Sequence, residues 1–318
     1  MERVLQFVIT PSQAGRPLKS LLKEKGLSQT LTRRVKRWPG GITVDGKPVH
    51  TDFRPSAGDV VAVLIERERE EASAIPPLAG TVDIRYEDGD LLVLHKDAGL
   101  ATHPSAGHRI DSLAARVAAY FGGKGEARPF RPVGRLDCDT SGLCLVAKNS
   151  FCQHALEKQR PAGAFGRTYY AVCHGAVEPA AGTLSAPILS APGRLKRLAD
   201  PAGQPAITRY RRLFTGGGLS LLRVEIDTGR THQIRVHLSH LGYPLAGDFL
   251  YGTEDPGLIA RHALHSGRLF LIHPLTGEAM AFLDPLPKDM AALCGKMGLS
   301  QTLLPEDERF LLQKKEPV

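Results

Sequence analysis

The feature that most constrains the fold of this chain is a break in composition at residues 66–79. A dense charged run at residues 66–72 is followed by Pro76 and Pro77. This combination is typical of an exposed linker, because neither part suits a packed strand or helix. The linker separates a small unit, residues 1–65, from the rest of the 318 residues. A chain of this length can bury a sizeable core without disulfides or metals.

The small unit is strongly basic. Residues 1–60 contain eleven Lys or Arg and five Asp or Glu, in a chain whose formal net charge is +8. Apolar residues recur at helical spacing in residues 16–37, which predicts two short helices. Asp45 and Gly46 then predict a hairpin turn, and residues 60–65 a further strand. A local basic excess favours a polyanionic partner, namely RNA, DNA or an anionic membrane surface.

The large unit, residues 80–290, mixes apolar strand-like runs with helical stretches, so we predict an α+β fold. Residues 291–318 are predicted to form a partly helical tail. No apolar run approaches the roughly 20 residues that a membrane span needs. The five cysteines are odd in number and lack a C-x-x-C pair, which favours reduced thiols and a cytoplasmic location.

One candidate site lies in residues 133–148, where a turn at residues 140–142 is predicted to lead into a buried strand at residues 143–147. Asp137 precedes that turn. Loops on a rigid scaffold often carry reactive groups, but turns also attract Asp for ordinary hydrogen bonding. Asp139 lies two residues further on and would point the opposite way in extended backbone, so a two-carboxylate glycosidase is discounted.

A second candidate site lies in residues 227–252. Thr231 is a plausible N-cap for a helix with an apolar stripe, and Gly242 fits the position after its end. Arg235 lies beside that stripe, so its guanidinium should be partly buried and should need a carboxylate or phosphate partner.

Three histidines in this helical stretch suggest a metal site, but the spacing opposes it. His232 and His237 are five residues apart, and only His237 and His240 share a helix face. We therefore predict no metal. The chain also lacks a phosphate-binding P-loop and a G-x-G-x-x-G pattern opening a helix after a strand, so no nucleotide cofactor is predicted.

The motifs together resemble a known family. Residues 135–143 read R-L-D-x-x-T-S-G-L, which is similar to the signature loop of the RluA-type RNA pseudouridine synthases. Residues 86–104 resemble the first motif of that family, and G-R-T-H-Q-I-R-x-H at residues 229–237 resembles its third. The chain departs from the pattern at Gly134, where the family often has His, and at Asp97, where Pro is usual.

Residues 10–65 resemble the small RNA-binding domain named after ribosomal protein S-four. By this resemblance the basic residues of the second predicted helix should bind RNA phosphates. The affinity that they supply should fall as the salt concentration rises. Removal of residues 1–65 is expected to weaken RNA binding without destroying the fold. The residues concerned are Arg33, Arg34, Lys36 and Arg37.

The resemblance implies a fold and a reaction. The fold is a mixed, mainly antiparallel central sheet with flanking helices, preceded by the small α/β RNA-binding domain. The reaction is the isomerisation of uridine to pseudouridine in structured RNA, without a cofactor. Large-subunit ribosomal RNA is the first expected substrate and transfer RNA the second, and a monomer is the default state.

The resemblance also implies roles for individual residues. Asp137 would act on the substrate, either by attacking the anomeric carbon or by removing a proton from the neighbouring ribose carbon. Arg235 would favour its charged form. A strand tyrosine is as a rule a core residue, but Tyr169 would here stack on the target base. Arg135 would fill the space that the extruded base leaves. Arg230 and Lys148 are weaker candidates, for phosphate contact or pocket structure.

Two other functions remain open at this stage. One is a non-catalytic RNA-binding or ribosome-assembly protein on the same fold, which would differ from the enzyme at Asp137. The other is a DNA-binding regulator whose basic helices enter the major groove, which would prefer duplex DNA to structured RNA.

Overall fold

The computed structural model describes residues 2–66, 75–104, 111–126, 128–191 and 193–313. Most of the predicted linker, residues 67–74, and the end of the predicted tail, residues 314–318, lie outside the described residues. Across the parts that are described, none of the helices has the length and apolar character that crossing a membrane requires.

Residues 2–66 form a four-stranded antiparallel sheet on which two helices pack. The sheet has the strand order β1-β4-β2-β3. The predicted helices and hairpin are confirmed, and Asp45 and Gly46 have the positive φ angles, 48° and 75°, of a tight hairpin turn. The elements are β1 (Arg3–Val8), α1 (Leu18–Glu24), α2 (Gln29–Val35), β2 (Ile42–Val44), β3 (Lys47–Pro48) and β4 (Val60–Glu66).

Strand β1 was not predicted from the sequence. It pairs with β4 from Val8 opposite Val60 to Arg3 opposite Glu66. Val4 and Val8 are 49% and 57% exposed, so apolar residues occupy its outer face as well as its inner one. The alternation of apolar and polar residues that marks a half-buried strand is therefore absent from the sequence of β1.

The rest of the chain forms a nine-stranded sheet with helices and a short separate hairpin. The elements are β5 (Asp83–Glu87), β6 (Leu91–Lys96), α3 (Leu113–Gly123), β7 (Ser141–Ala147), α4 (Ser150–Gln159), β8 (Gly166–His174), β9 (Ala181–Leu184), β10 (Ile188–Leu189), β11 (Leu198–Ala199), β12 (Thr208–Gly216), β13 (Leu219–Ile226), α5 (Gln233–His240), β14 (Leu264–Ile272), β15 (Ala279–Leu283) and α6 (Lys288–Lys296). Two 3₁₀ helices follow, Gln301–Leu303 and Glu306–Leu312.

The strand order of the large sheet is β5-β6-β7-β14-β8-β13-β12-β9, with β15 also paired to β14. The pairing of β7 with β14 is parallel, and the other strand pairs described in this sheet are antiparallel. The predicted α+β fold with a mixed, mainly antiparallel sheet is therefore confirmed.

The small unit packs directly on the large sheet. Leu91, Val93 and Leu143 of the large sheet share one buried cluster with residues of α1, α2 and β4. An ion pair at 2.7 Å between Arg128 Nη1 of the large unit and Glu66 Oε1 of the small unit also joins the two units. Removal of residues 1–65 would expose this apolar face to water, so we now expect the deletion to destabilise the large unit.

The end of the chain also belongs to the large unit. Helix α6 runs across the predicted boundary at residues 290 and 291. In the last 3₁₀ helix the buried carboxylate of Glu308 accepts hydrogen bonds from the Tyr170 hydroxyl and from Arg223 Nη1, the latter at 2.9 Å. Residues 291–313 thus cover the sheet, and the predicted division between core and tail is wrong because apolar residues on both sides of it share one cluster.

The predicted turn at residues 140–142 is shorter in the structure, because β7 already begins at Ser141. Gly142 has a φ of 110°, and a Cβ atom there would lie 2.3 Å from the Ser266 carbonyl oxygen. This glycine allows β14 to approach β7 closely, next to the loop that carries Asp137.

Candidate active site

The site is built around a buried arginine that contacts two carboxylates. Arg235 Nε and Nη2 donate to the two Asp248 carboxylate oxygens at 2.8 Å each, which is a bidentate pair. Its remaining terminal nitrogen, Nη1, lies 3.5 Å from Asp137 Oδ2. The Arg235 and Asp248 side chains are 4% and 0% exposed, whereas that of Asp137 is 25% exposed. The structure thus joins the two candidate sites and leaves only Asp137 open to solvent.

Helix α5 sets the position of Arg235. The sequence predicted Thr231 as its N-cap, but the cap is His232, in a left-handed conformation with φ of 59°. Gln233 closes the preceding loop, because its Oε1 accepts from the Thr228 hydroxyl and the Arg230 N–H. The Thr231 prediction failed because this loop is held by the Gln233 side chain rather than by a hydroxyl cap.

The role of Asp248 was not predicted. Besides Arg235, its Oδ1 accepts from the backbone N–H groups of Leu250 and Tyr251, at 3.0 and 3.2 Å. Burial raises the pKa of Asp248, but the hydrogen bonds and charge of Arg235 outweigh burial and lower it. Burial likewise lowers the pKa of Arg235, and the hydrogen bonds and charge of Asp248, with the charge of Asp137, outweigh it. Both groups are therefore charged at neutral pH.

The loop that carries Asp137 is fixed by its neighbours in sequence. The Leu136 carbonyl accepts from the Thr102 hydroxyl at 2.7 Å, and the Cys138 carbonyl accepts from Lys96 Nζ at 2.7 Å. The Thr140 hydroxyl lies 2.9 Å from His262 Nε2. With its backbone held on both sides, Asp137 needs little reorganisation to present its carboxylate.

Lys96 is a second residue whose role sequence reasoning missed. Its Nζ is buried and donates to three backbone carbonyls, those of Asp97, Leu100 and Cys138, at 2.7–2.8 Å. Burial lowers the pKa of Lys96 to about 8. The three carbonyls match the three donors of an ammonium, which ties the end of β6 to the loop of Asp137. In the sequence, the position of Lys96 within the motif at residues 86–104 was the signal that could have indicated this role.

Tyr169 lies on β8 in the buried cluster that also contains Leu136 and Ile234. These two residues adjoin Asp137 and Arg235 in sequence. Tyr169 is 4% exposed. Tyr169 thus shares a core with residues next to Asp137 and Arg235 in the chain.

Comparison with known proteins assigns the family. Residues 90–240, which include Asp137 and Arg235, match the model of the RNA pseudouridylate synthases. The chain is 36% identical over 299 residues to an uncharacterised RNA pseudouridine synthase, YhcT, of Bacillus subtilis, covering 92% of this chain and 97% of the relative. The chain belongs to the RluA-type RNA pseudouridine synthases. It is therefore an isomerase that converts uridine to pseudouridine in RNA.

Two further comparisons agree with this assignment. The synthase is 35% identical over 306 residues to the ribosomal large subunit pseudouridine synthase D of Yersinia pestis, covering 91% of this chain and 93% of the relative. The solved structure of human RNA pseudouridylate synthase domain containing 1 superimposes with a TM-score of 0.55 and 25% identity, over 70% of this chain and 89% of that chain.

Arg135 and Arg230 lie at the exposed mouth of the synthase site. Arg135 Nη2 is 3.4 Å from the Thr231 hydroxyl, and Arg230 Nε donates to the Pro205 carbonyl at 3.1 Å. A cleft of about 410 Å³, lined in part by Arg197, Arg230 and Thr231, opens beside them. Both side chains are thus exposed beside the segment that leads into α5.

Lys148 does not lie at the site, so its predicted role in RNA contact is wrong. It is 4% exposed. Its Nζ donates to Glu87 Oε1 at 2.6 Å and to the Asp88 carbonyl. Strand β7 carries the chain roughly 20 Å from the loop of Asp137 to Lys148, at about 3.3 Å per residue. The alternative role in pocket structure does not fit these contacts either, because they lie at the far end of β7 from Asp137.

The two departures from the family pattern have different surroundings. Gly134 has a φ of 81°, and a Cβ atom there would lie 2.6 Å from Arg167 Nη1 and 3.1 Å from Arg160 Nη2. A side chain at this position would therefore displace two guanidinium groups. The Asp97 side chain is 75% exposed, with its Oδ1 3.4 Å from His95 Nε2.

Two of the three histidines considered for a metal, His232 and His237, bond to different partners. His232 Nδ1 lies 2.9 Å from the Tyr251 hydroxyl, and His237 bonds the Thr208 hydroxyl and the Ala186 carbonyl, both at 2.8 Å. Elsewhere in the described part of the synthase, the possible ligand atoms of Asp88, Asp90 and His273 lie within 4.8 Å of one another.

That group is already occupied by protein donors. Asp88 Oδ1 accepts the N–H groups of Asp90 and Leu91, each at 2.7 Å. Asp90 Oδ1 accepts from Arg3 Nε at 3.0 Å and from Asn149 Nδ2 at 2.9 Å. The group lies at the end of β6 opposite to Lys96, away from Asp137.

The basic residues predicted to bind RNA in the small unit lie on α2 and directly after it. Arg33, Lys36 and Arg37 are exposed, and Arg34 is half-buried with its guanidinium 5.7 Å from the centre of the Trp38 ring. This helix therefore presents positive charge to solvent.

Proposed function

We propose that the Asp137 carboxylate carries out the isomerisation without a cofactor, on a uridine of large-subunit ribosomal RNA. The observation that carries the proposal is the arrangement at Arg235, where one carboxylate is buried in a bidentate pair and the other, that of Asp137, faces outward 3.5 Å away. A single ionised carboxylate at the opening of an apolar site is the group that this reaction needs.

The reaction requires no redox change. The bond from the ribose anomeric carbon to nitrogen 1 of uracil breaks, and its electron pair stays on nitrogen 1. The base turns, and the anomeric carbon bonds to carbon 5, which then loses its proton while nitrogen 1 gains one. Asp137 starts the sequence by one of two routes. It attacks the anomeric carbon as a nucleophile, or it removes the proton from the adjacent ribose carbon as a base.

Arg235 holds a fixed positive charge beside Asp137. Its fork is fixed by Asp248, so Nη1 cannot turn away from Asp137 when the substrate enters. A nearby cation favours the charged form of a carboxylate, and fixed charges act most strongly where water is excluded. Arg235 is therefore a positioning and charge-stabilising residue.

The base must leave the RNA stack before Asp137 can reach its sugar, at a cost of a few kcal/mol. Arg135 is exposed beside the site and is proposed to fill the vacated space. Tyr169 is proposed to stack on the extruded uracil. Arg230, which lines the neighbouring cleft, is proposed to contact the RNA backbone.

The substrate is proposed from charge and from similarity. The exposed basic residues of α2 favour a large structured RNA, in the manner of an S-four-like domain. A relative at 35% identity is named as a large ribosomal subunit synthase, which favours ribosomal RNA over transfer RNA. We place the synthase with that RNA, in the cytoplasm, and propose that it acts as a monomer.

Two experiments test the proposal. In the first, Asp137→Asn should abolish tritium release from RNA labelled at uridine carbon 5 while the RNA dissociation constant stays within about threefold. Turnover at the wild-type rate would refute the assignment of Asp137.

In the second experiment, pseudouridines are mapped across total RNA from a strain lacking the gene. A pseudouridine lost from large-subunit ribosomal RNA supports the proposed substrate. A pseudouridine lost from transfer RNA instead would make transfer RNA the substrate.

A further inference from the structure

Two guanidinium groups outside the proposed reaction lie against both loops of the site. A Cβ atom on Gly134 would lie 2.6 Å from Arg167 Nη1 and 3.1 Å from Arg160 Nη2. A Cβ atom on Gly229 would lie 3.3 Å from Arg160 Nη1. Gly134 leads into the loop of Asp137, and Gly229 leads into the helix of Arg235. The arginine pair therefore bridges the two segments that form the site.

This arginine pair lacks a compensating anion. Among the residues that the structure describes, no carboxylate oxygen lies within 4.0 Å of either guanidinium. Arg167 is 6% exposed, and its Nη2 donates to the Val133 carbonyl at 2.5 Å. Its buried Nε has no hydrogen-bond partner. A buried cation is as a rule paired, so this guanidinium pair is a candidate to bind an anion.

The surroundings of the pair increase its need for an anion. Both guanidiniums lie near the Phe165 ring, at 5.3 Å for Arg160 and 5.8 Å for Arg167. Burial, and then the charge of Arg167, lower the pKa of Arg160. An anion bound between them would relieve this repulsion. Arg160 is half-buried and is thus the member of the pair that a ligand can reach.

The position of the pair identifies the anion. Arg167 and Tyr169 are two residues apart on β8, so both side chains lie on the same face of the sheet. A uracil stacked on Tyr169 would bring the phosphates of its own nucleotide to this edge of the site. Guanidinium groups bind phosphate through two parallel hydrogen bonds, which a half-buried arginine can offer.

We propose that Arg160 and Arg167 form a binding site for one phosphate of the RNA chain next to the extruded uridine. Arg160 contacts the phosphate, and Arg167, held by Val133, strengthens the local positive potential. The proposal rests on the proposed function in one respect, that the target base lies on Tyr169. It adds a substrate-binding contact to the site and assigns no step of the reaction to either arginine.

The test measures how RNA binding depends on salt. An unmodified transcript of large-subunit ribosomal RNA is bound to the wild type and to Arg160→Gln, Arg160→Met, Arg160→Lys and Arg212→Gln. The methionine variant keeps an apolar stem beside Phe165. Arg212 is the matched control, because its Nη1 is already bonded to Glu178 and to the Val177 carbonyl, at 2.6 Å each.

We expect both uncharged variants at position 160 to raise the dissociation constant about tenfold. The slope of log affinity against log salt should fall in magnitude by about 0.7–0.9, the value for one lost phosphate contact. Arg160→Lys and Arg212→Gln should keep the wild-type slope. A wild-type slope in either uncharged variant overturns the proposal.

A parallel measurement on Asp137→Asn separates this proposal from the proposed function. That variant should keep the wild-type slope and lose turnover. If it keeps turnover, the role of Asp137 is refuted while a slope change at Arg160 still supports the phosphate site. If Asp137→Asn is inactive and the Arg160 variants keep the wild-type slope, only the phosphate site is refuted.

Discussion

Two regions of the molecule that we propose to act on RNA carry cationic side chains, and they hold these side chains in opposite ways. On and after α2, Arg33, Lys36 and Arg37 are exposed, and within the described part of the chain no carboxylate lies within 4.0 Å of them. In the active site, the Arg235 side chain is 4% exposed and makes two hydrogen bonds to Asp248. Exposed charges bind the phosphates of any RNA, and salt weakens this binding. A buried charge with hydrogen-bond partners instead fixes the positions of the groups around it.

This comparison predicts where each kind of substitution acts. Changes on α2 should alter binding and leave the chemical step intact, because no residue there approaches Asp137. Changes at Arg235 should alter the chemical step and the stability together, because one side chain supports both. The predictions below test that separation.

The largest effect is expected at Arg235. Replacement by Gln removes the partner of Asp137 and leaves Asp248 as an unpaired buried charge. Turnover under single-turnover conditions should fall by at least about 10³-fold. The free energy of unfolding in urea should fall by about 3–5 kcal/mol.

A double variant tests whether these two losses have separate causes. Arg235→Gln combined with Asp248→Asn removes the unpaired charge, so most of the stability should return while turnover stays low. Recovery of turnover in the double variant, or near wild-type turnover in Arg235→Gln alone, would contradict the role given to Arg235.

A smaller effect, on binding alone, is expected from the basic residues of α2. Replacement of Arg33, Arg34, Lys36 and Arg37 together by Gln should raise the RNA dissociation constant about 30-fold or more at moderate salt, with a salt slope lower by about 3. Turnover at saturating RNA should not change. Deletion of residues 1–65 is a poorer test, because it would uncover the apolar face of β6 and β7.

The matched control for this variant replaces the three arginines by Lys and so keeps the charge. Its affinity and salt slope should stay close to those of the wild type. An unaltered salt slope in the glutamine variant would mean that the basic surface of α2 only keeps the protein in solution.

The smallest effect is expected from lowering the pH. It should be a loss of stability that arises at buried histidines of the large unit. Burial lowers the pKa of His265 to about 4 and holds that of His262 well below its usual range. Between pH about 6.5 and 4 the unfolded chain binds a proton at His265 that the folded protein does not, so stability falls as the pH falls. Urea unfolding at pH 7 and 4.5 should show a loss of about 1–3 kcal/mol from this residue.

Two variants locate the origin of that loss. His265→Asn should flatten the pH dependence, and His50→Gln, at an exposed position of the small unit, should leave it unchanged. An identical pH dependence in the wild type and in His265→Asn would contradict the assignment.

The sequence predicted those features that depend on local pattern. The apolar stripes of α1 and α2 and the Asp45–Gly46 turn act within a few residues, and the structure confirms them. The need of Arg235 for an anion followed from its place beside an apolar stripe. Motif resemblance brought Asp137 and Arg235 into one hypothesis, and the structure places them 3.5 Å apart.

The remaining features depend on contacts that local pattern does not encode. Asp248 completes the Arg235 pair from 13 residues away. Lys96 holds the Cys138 carbonyl from 42 residues away. Lys148 was misassigned because it is close to Asp137 in sequence while β7 separates the two in space. Such relations appear only when the strands of the sheet are placed side by side.

The central claim is that the carboxylate at position 137, fixed beside Arg235, is sufficient for the chemistry. The most direct measurement is single-turnover pseudouridine formation by wild type and Asp137→Asn, each dialysed against EDTA and saturated with the RNA that the wild type modifies. We predict that the wild type keeps its full rate and that Asp137→Asn loses at least about 10³-fold while binding RNA equally well. Product formation by Asp137→Asn at a rate near that of the wild type would contradict the account.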